Sequence, residues 1–223
     1  MPSRRALVRG VAAGQVPGAV AVPLALHVSA RIAERDAEEF VYDPTELANA
    51  LRDLIDAIDP DGVPVCDPGV LLADCRTAAG IITSQQLAAA VEATRRLRAS
   101  SGDAIALVAA LPGPAAIARV TGAADADAVL ALGKEFLAAG ADVLVIQDED
   151  ELPGAALTTL ANVARFHQAA ALSHGTERYG LTATVPVGLH APAHVVGVAV
   201  TPGSLARDTD LSVLRDWVTA ARG

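Results

Sequence analysis

The chain has 223 residues, a formal net charge of -9, 52% hydrophobic residues and only 3% aromatic ones. Its length suits one large domain or two small ones, and its core must be filled by Ala, Val and Leu. The acidic balance, with no basic run longer than RRLR, excludes a surface that neutralises phosphates, and no stretch approaches the ~20 apolar residues of a membrane span, so neither nucleic acid nor membrane is an expected partner.

In chain order, residues 3–14 read as a short helix. Ser3-Arg4-Arg5 with the apolar residues beyond is similar to a twin-arginine export signal, but Arg9, Gln15, Pro17, Pro23 and His27 interrupt that stretch, which favours a structural reading. Residues 19–26 predict a first strand ending near His27. Asp43-Pro44-Thr45-Glu46 is a helix start, with Asp as the cap, Pro at the first helical position and Glu three residues after the cap. Leu47, Leu51, Leu54, Ile55 and Ile58 give that helix one apolar face through residue 59.

Residues 62–66 form the second expected strand, closed by the turn chemistry of Asp67-Pro68-Gly69. A helix follows over 83–98, with Leu87, Val91 and Leu97 inward. The third strand spans 104–111 and ends at Pro112-Gly113-Pro114, after which a short helix runs to Gly122. Val129, Leu132, Phe136 and Leu137 recur at helical spacing up to the stop at Gly140, and residues 143–146 are an apolar run suited to a parallel strand covered on both faces. A helix is expected over 154–173, strands over 181–189 and 195–201, and a last helix over 210–221.

This repeated alternation of strand and helix, with no linker-like composition, predicts a single α/β domain over residues 1–223. About six strands are recognisable, fewer than a closed eight-stranded barrel requires. A shortened TIM-barrel-like fold, an open doubly wound sheet and a barrel completed by a partner all remain open. No GxGxxG and no GxxxxGK[ST] occurs, so dinucleotide and P-loop signatures are missing. Short-barrel edges need cover, and alanine-rich faces such as that of 155–171 are suited to a second copy, so a homodimer is expected.

Chemistry in α/β architectures gathers at the carboxyl ends of parallel strands. Asp148, Glu149, Asp150 and Glu151 cluster where the fourth strand ends, and Asp148, nearest the strand, is the member least well explained as a solvated acid. Arg31 is a candidate clamp for an anionic group. His27 and His190 are candidate acid/base groups, and His190 and His194 share one loop. Cys66 and Cys75 have neither CxxC nor zinc-ribbon spacing. A reducing cytoplasm is the expected location, and Cys66 reads as a small hydrophobe.

The segments SRRALVRGVAAGQVPGAVAVPL, DPTELANALRDLIDAIDPDGVPVCDP, ALPGPAAIARVTG, LAAGADVLVIQDE and TPGSLARDTDLSVLRDWVTAAR together resemble the uroporphyrinogen decarboxylase superfamily, whose barrel is shared with cobalamin-related methyltransferases and methionine synthases. The resemblance spans nearly the whole chain and implies a TIM-barrel-like fold in a short, divergent member. It places Asp67 at the carboxylate that faces pyrrole nitrogens, Arg31 at one of two substrate-binding arginines, and Asp148 at the aspartate ending the fourth strand. His27 stands where the other arginine belongs, Ala118 stands near an expected tyrosine, and Pro192 replaces the cysteine of a zinc site. Neither porphyrinogen decarboxylation nor zinc-dependent methyl transfer is therefore expected.

The residues point to a cofactor-independent lyase or hydrolase acting on a small anionic substrate bearing a carboxylate, nitro or phenolate group. His27, Asp67, Asp148 and His190 would be its catalytic residues, and Arg31, Glu149 and His194 its substrate contacts. A metal-assisted hydrolase, with a divalent ion between Asp148, His190 and Asp67, is one alternative. A non-catalytic binding or assembly subunit related to methyltransferases is the other.

Overall fold

The computed structural model describes residues 2–36, 38–150, 155–190 and 195–222. Helix α1 (Arg4–Ala12) precedes strand β1 (Ala19–Val22), helix α2 (Leu26–Ile32) and helix α3 (Pro44–Ile58). Strand β2 (Gly62–Cys66) leads into α4 (Pro68–Leu72), α5 (Ala78–Ile82) and α6 (Gln85–Ser101). Strand β3 (Ala106–Pro112) is followed by α7 (Pro114–Thr121) and α8 (Ala126–Ala139), and β4 (Val143–Gln147) by α9 (Ala155–Phe166). Strands β5 (Ala170–Ser173), β6 (Val185–Pro186) and β7 (Gly197–Val200) and helix α10 (Leu211–Arg222) complete the described chain.

All ladders between the strands are parallel, in two sheets ordered β2-β3-β4-β5 and β1-β7-β6. Two seams join the sheets into a ring. At one, the Asp61 amide donates to the Ala21 carbonyl at 3.0 Å, while the Ala21 amide donates to Asp61 Oδ2 at 2.8 Å. At the other, Ser173 and Ala183 form a parallel bridge, with the Ser173 amide on the Thr182 carbonyl at 2.9 Å and the Thr184 amide on the Ser173 carbonyl at 2.8 Å. The strands thus succeed one another around the ring in chain order, as right-handed crossover helices dictate.

The pleat divides the core into two layers. Val20, Val22, Ala106, Val108, Ala110, Val143, Val145, Leu172, Val198 and Val200 fill the ring interior. The alternate residues, such as Val63, Leu107, Leu111, Leu144 and Ile146, pack outward against the helices, so the ring is a packed core and not a pore. Gly62 fits closely inside it, since a Cβ there would lie 3.1 Å from Val22 Cγ2 and 3.2 Å from Val108 Cγ2. Val8, Val11 and Ala12 of α1 join the interior layer, and the helix plugs the end of the ring where the strands begin.

That end is fixed by charge. Asp142, immediately before β4, is fully buried and accepts Arg5 Nε and Arg9 Nε, each at 2.7 Å, as well as Arg98 Nη2 and the Leu107 amide. Asp61, immediately before β2, accepts Arg222 at 3.0 Å. Burial works against the charge on Arg5, yet its hydrogen bonds to Asp103 and Asp142 leave its pKa raised. Arg98 moves the other way, lowered first by burial and then by the like charges of Arg5 and Arg9 against the pull of Asp142. The tandem arginines at the start of the chain are therefore anchors: Arg5 holds Asp142, and Arg4 pairs with Asp59 at 2.6 Å.

Among the described residues seven strands stand where about six are expected, and the additional one is β5. The helix expected over 154–173 ends at Phe166, Gln168 turns the chain at φ 55°, and Ala170–Ser173 pairs with β4. Alanine-rich residues carry no strand preference of their own, and pairing against Val143–Ile146 decides the outcome. The strand expected over 181–189 shortens to Val185–Pro186. The first strand stops at Val22 because Pro23 cannot donate to a ladder, and His27 consequently lies on the first turn of α2 and not at a strand end. The expected cap at Asp43 forms, accepting the Thr45 amide at 2.7 Å and the Glu46 amide at 3.1 Å.

Candidate active site at the barrel mouth

The carboxyl ends of β2, β4, β5 and β7 surround a cavity of about 640 Å³. Its lining includes Pro68 and Gly69 after β2, Gln147, Asp148 and Glu149 at the end of β4, His174 after β5, and Pro202 and Gly203 after β7, with Ala116, Arg119 and Val120 contributed by α7. Such a position is where parallel-strand folds bind ligands.

Asp148 is engaged on all sides. Its two carboxylate oxygens accept the Ala115 amide at 2.9 Å and the Ala116 amide at 2.8 Å, and the Tyr179 hydroxyl donates to Oδ2 at 2.6 Å. It caps α7 across the strand gap, supplying the acceptor that Gly113, the residue before the helix, lacks. Gly113 makes room for it, since a Cβ there would sit 2.3 Å from Asp148 Oδ2. Arg178 locks the same segment from above, donating to the Asp148 carbonyl and, at 2.7 Å, to the Glu149 carbonyl.

Asp67 has a parallel role at the end of β2. It accepts the Gly69 amide at 2.8 Å to cap α4 and also accepts the Ser204 hydroxyl. A register shift in β2 between Pro64 and Cys66 lies just before it. Neighbouring Cys66 is buried, with its thiol pushed well above the usual range first by burial and then by the charge of Asp67, which suits an inert wall residue.

The groups left to face a ligand are others. His174 Nε2 lies 3.2 Å from the carbonyl of the fully buried Thr201. Assigning the proton to Nε2 satisfies that carbonyl and leaves Nδ1 as an acceptor without a partner among the described residues. Gln147 Nε2 is buried with no hydrogen-bond partner among the described residues, and an unmet donor of this kind costs about 1–3 kcal/mol until an acceptor arrives. Arg119 pairs with Glu149, but both side chains are largely exposed, at 51% and 78%, and an exposed pair is weak enough to yield to an incoming anion.

Of the residues singled out in the sequence, Asp67, Asp148 and Glu149 come together around the mouth, the two aspartates as caps and Glu149 as the partner of Arg119. Arg31 lies apart from it, donating to the carbonyls of Asp208 at 3.4 Å and Thr209 at 2.5 Å. His190 is exposed in a turn after β6 and does not line the cavity, while His194 lies outside the described residues. Among the described residues no group of three or more His, Cys, Asp and Glu side chains converges as a metal site would.

His27 lines a second hollow of about 410 Å³ with Glu38, Tyr42, Asp74 and Gln86. Sequence reasoning missed His174, Gln147, Arg119 and Tyr179. The one signal available was the apolar AALS before His174, which its alanines disguised as helix.

No described helix is long and apolar enough to cross a membrane. No family model matches the sequence, and no curated protein matches it. Among solved structures, the chain is similar to a methyltransferase from Methanosarcina mazei, with a TM-score of 0.71 and 13% identity over 100% of this chain and 98% of that one. A rubisco-like protein from Burkholderia fungorum gives a TM-score of 0.40 at 15% identity, over 82% of this chain and 39% of that one. The first likeness, at that level of identity, concerns the fold alone, and it agrees with the closed ring of parallel strands: this is an α/β barrel of the TIM type in shortened form.

Proposed function

We propose that the mouth cavity is the active site of a cofactor-independent lyase or hydrolase that acts on a small substrate bearing a carboxylate or a similar anionic group. The observation that carries this reading is the placement of His174 in the cavity lining, with one ring nitrogen held by the Thr201 carbonyl and the other without a partner among the described residues. Imidazole exchanges protons near neutral pH, and a ring oriented through one nitrogen presents the other in a constant direction, which is the arrangement general acid/base catalysis needs.

Gln147 and Arg119 supply the anion contacts. Arg119 releases Glu149 as the substrate carboxylate takes its place, and the Gln147 amide gains the acceptor it lacks. Asp67 and Asp148 hold α4 and α7 at the rim and thereby position this machinery without taking the proton themselves. In this reading the chain is a short member of the uroporphyrinogen decarboxylase superfamily, with Asp67 and Asp148 at the strand ends that the resemblance marks and its proton chemistry moved to His174.

The test is a screen of small carboxylates and carboxylate esters in D2O followed by proton NMR, which reports both turnover and proton exchange at carbons next to the anionic group. Wild-type protein is expected to transform or exchange at least one of them, and His174→Asn to slow that reaction by about 10²–10⁴-fold. An H174N variant as active as wild type overturns the assignment of the base. A binding role without turnover is favoured by one observation, that both mouth aspartates are committed to caps; saturable carboxylate binding with no reaction across the screen would support it.

A further inference from the structure

The end of the barrel opposite the mouth holds a hollow of about 500 Å³, set between the end of α1 and the turn from α9 into β5. Arg9, Gln15, Arg165 and Gln168 supply its polar lining, and no Asp or Glu takes part. In a chain of net charge -9, a cavity walled by two cations, two carboxamides and no acid is a local reversal of sign that draws anions.

The backbone fixes the walls. Gly14 turns the chain at φ 67°, and the Gln15 and Val16 amides return to the Gly10 carbonyl at 2.8 and 3.1 Å. A Cβ at Gly10 would lie 2.6 Å from Val16 Cγ2, so this fold-back needs glycine there. On the other side Gln168 turns at φ 55°, with its amide on the Arg165 carbonyl at 3.0 Å. The carbonyls of Gly10 and Arg165 near the two helix ends are thus met by turn amides, and neither arginine side chain is spent on capping.

Arg5, Arg9 and Arg98 all reach Asp142, but they are not equally committed. Arg5 also holds Asp103, and Arg98 also donates to the carbonyls of Gly140 and Gly102. Arg9 is bound through Nε alone, which leaves Nη1 and Nη2 without an acceptor among the described residues although the side chain is only 21% exposed. Three guanidiniums share two carboxylates there. The surplus is felt at Arg98, whose pKa falls first through burial and then, against the pull of Asp142, through the charges of Arg5 and Arg9. Arg165 adds a further cation to the hollow, and its partner Asn162 is neutral.

From this we infer that the closed end of the barrel is a second binding site, taking a small organic phosphate whose phosphoryl group is held by Arg9 and Arg165. Two guanidinium groups and two side-chain amides offer more donors than the two oxygens of a carboxylate accept, whereas a phosphate monoester brings three terminal oxygens and close to two negative charges. The hollow is larger than a bare phosphate ion and falls within the size range of small-molecule pockets. Ala13, Val16 and Ala169 give the organic part an apolar wall. The packed ring interior separates this hollow from the mouth, so its ligand is not the substrate held there but a molecule that ties α1 to α9.

The experiment titrates ¹⁵N-labelled full-length protein with phenyl phosphate, benzoate and inorganic phosphate at constant ionic strength, reading the side-chain amides of Gln15 and Gln168. Phenyl phosphate should move both amides saturably and bind about tenfold more tightly than benzoate, as expected for one added charge-assisted contact. It should also raise the midpoint of thermal unfolding. Arg165→Gln, at an exposed position, should fold as wild type does and weaken phenyl phosphate about tenfold. Arg9→Lys, which keeps a charge for Asp142 and gives up the free fork, should weaken it as well.

Inorganic phosphate binding more weakly than phenyl phosphate supports the apolar wall, and equal binding overturns the organic part of the assignment. Shifts that are the same for phenyl phosphate and benzoate, or that persist unchanged in R165Q, overturn the phosphate site. Gln147 reports the mouth independently, so failure at Gln15 and Gln168 is distinguishable from failure of the reading proposed there.

Discussion

At the end of the barrel where strands begin, Asp142 precedes β4 and meets three arginines and a backbone amide; where the same strand ends, Asp148 meets two backbone amides and a tyrosine hydroxyl. Strand β2 repeats the arrangement with Asp61 before it and Asp67 after it. The same residue type thus closes one end and shapes the other. At the closed end the carboxylates answer cations drawn from α1, α6 and α10. At the mouth they answer helix amides, which leaves His174, Gln147 and Arg119 uncommitted or loosely committed. A barrel of valine and alanine holds a polar site open at one end by fastening the other.

Removing the fastening is expected to have the largest effect. Asp142→Ala would leave Arg5, Arg9 and Arg98 facing one another in a site where the carboxylate was fully buried. Loss of one partner of a buried ion cluster costs about 3–5 kcal/mol, and urea denaturation should show that loss. Arg9→Met, which removes one of the three cations, should cost clearly less. Losses below about 1 kcal/mol in both variants would mean that α1 is held by Val8 and Val11 and not by charge.

This contrast also marks what could be read in the chain. The caps at Asp43 and the stop at Gly140 were legible because donor and acceptor lie within a turn of each other. The strands β2, β3 and β4 were legible from apolar runs bounded by turn residues. Asp142 was not legible as an anchor, since its partners Arg5 and Arg9 lie at the far end of the chain and nothing local distinguishes an acid before a strand from one after it. The same limit hid β5: an alanine-rich segment becomes a strand only because β4 offers a ladder, and with β5 went His174. Arg31 had the right chemistry for a clamp, but which way α2 faces is settled by the fold, and it faces the Asp208–Thr209 loop.

At the mouth a smaller effect is expected from Gly113→Ala. The new Cβ would collide with Asp148 Oδ2 at 2.3 Å and with Asp148 Cβ at 2.8 Å, and the carboxylate cannot swing away without losing three donors. Overpacking of this kind costs about 1–3 kcal/mol. In an Asp148→Gly background the same Gly113→Ala change should cost much less, and a double-mutant cycle by thermal unfolding measures that coupling. Asp148→Ala alone should cost about 0.5–2 kcal/mol, the range for losing a helix cap. A cost matching that of Asp142→Ala would show that the two ends are fastened alike.

Acidification acts on both ends more gently. The Asp103 carboxyl is held below its ordinary range, first by the hydrogen bond from Arg5, and the Asp43 carboxyl is lowered by the Glu46 and Thr45 amides at the start of α3. A carboxyl whose folded pKa is depressed stabilises the protein above its unfolded pKa, near 4, and that stability is lost as pH falls through the folded value. Stability should therefore be flat down to about pH 5 and then decline. Asp103→Asn and Asp43→Asn should each make the decline shallower by a small amount, because both groups are exposed.

The smallest effect on stability is expected at His174, the residue proposed to move the proton. His174 contributes one long hydrogen bond to Thr201 at 3.2 Å and is half-buried at an open rim. Asn retains a donor for the Thr201 carbonyl, so His174→Asn should shift stability by no more than about 0.5 kcal/mol. Its midpoint in urea should overlay that of wild type while proton exchange on the substrate is lost. If H174N instead unfolds early, the Thr201 contact is a structural tie like those at the closed end, and the proposed catalytic role of His174 loses its support.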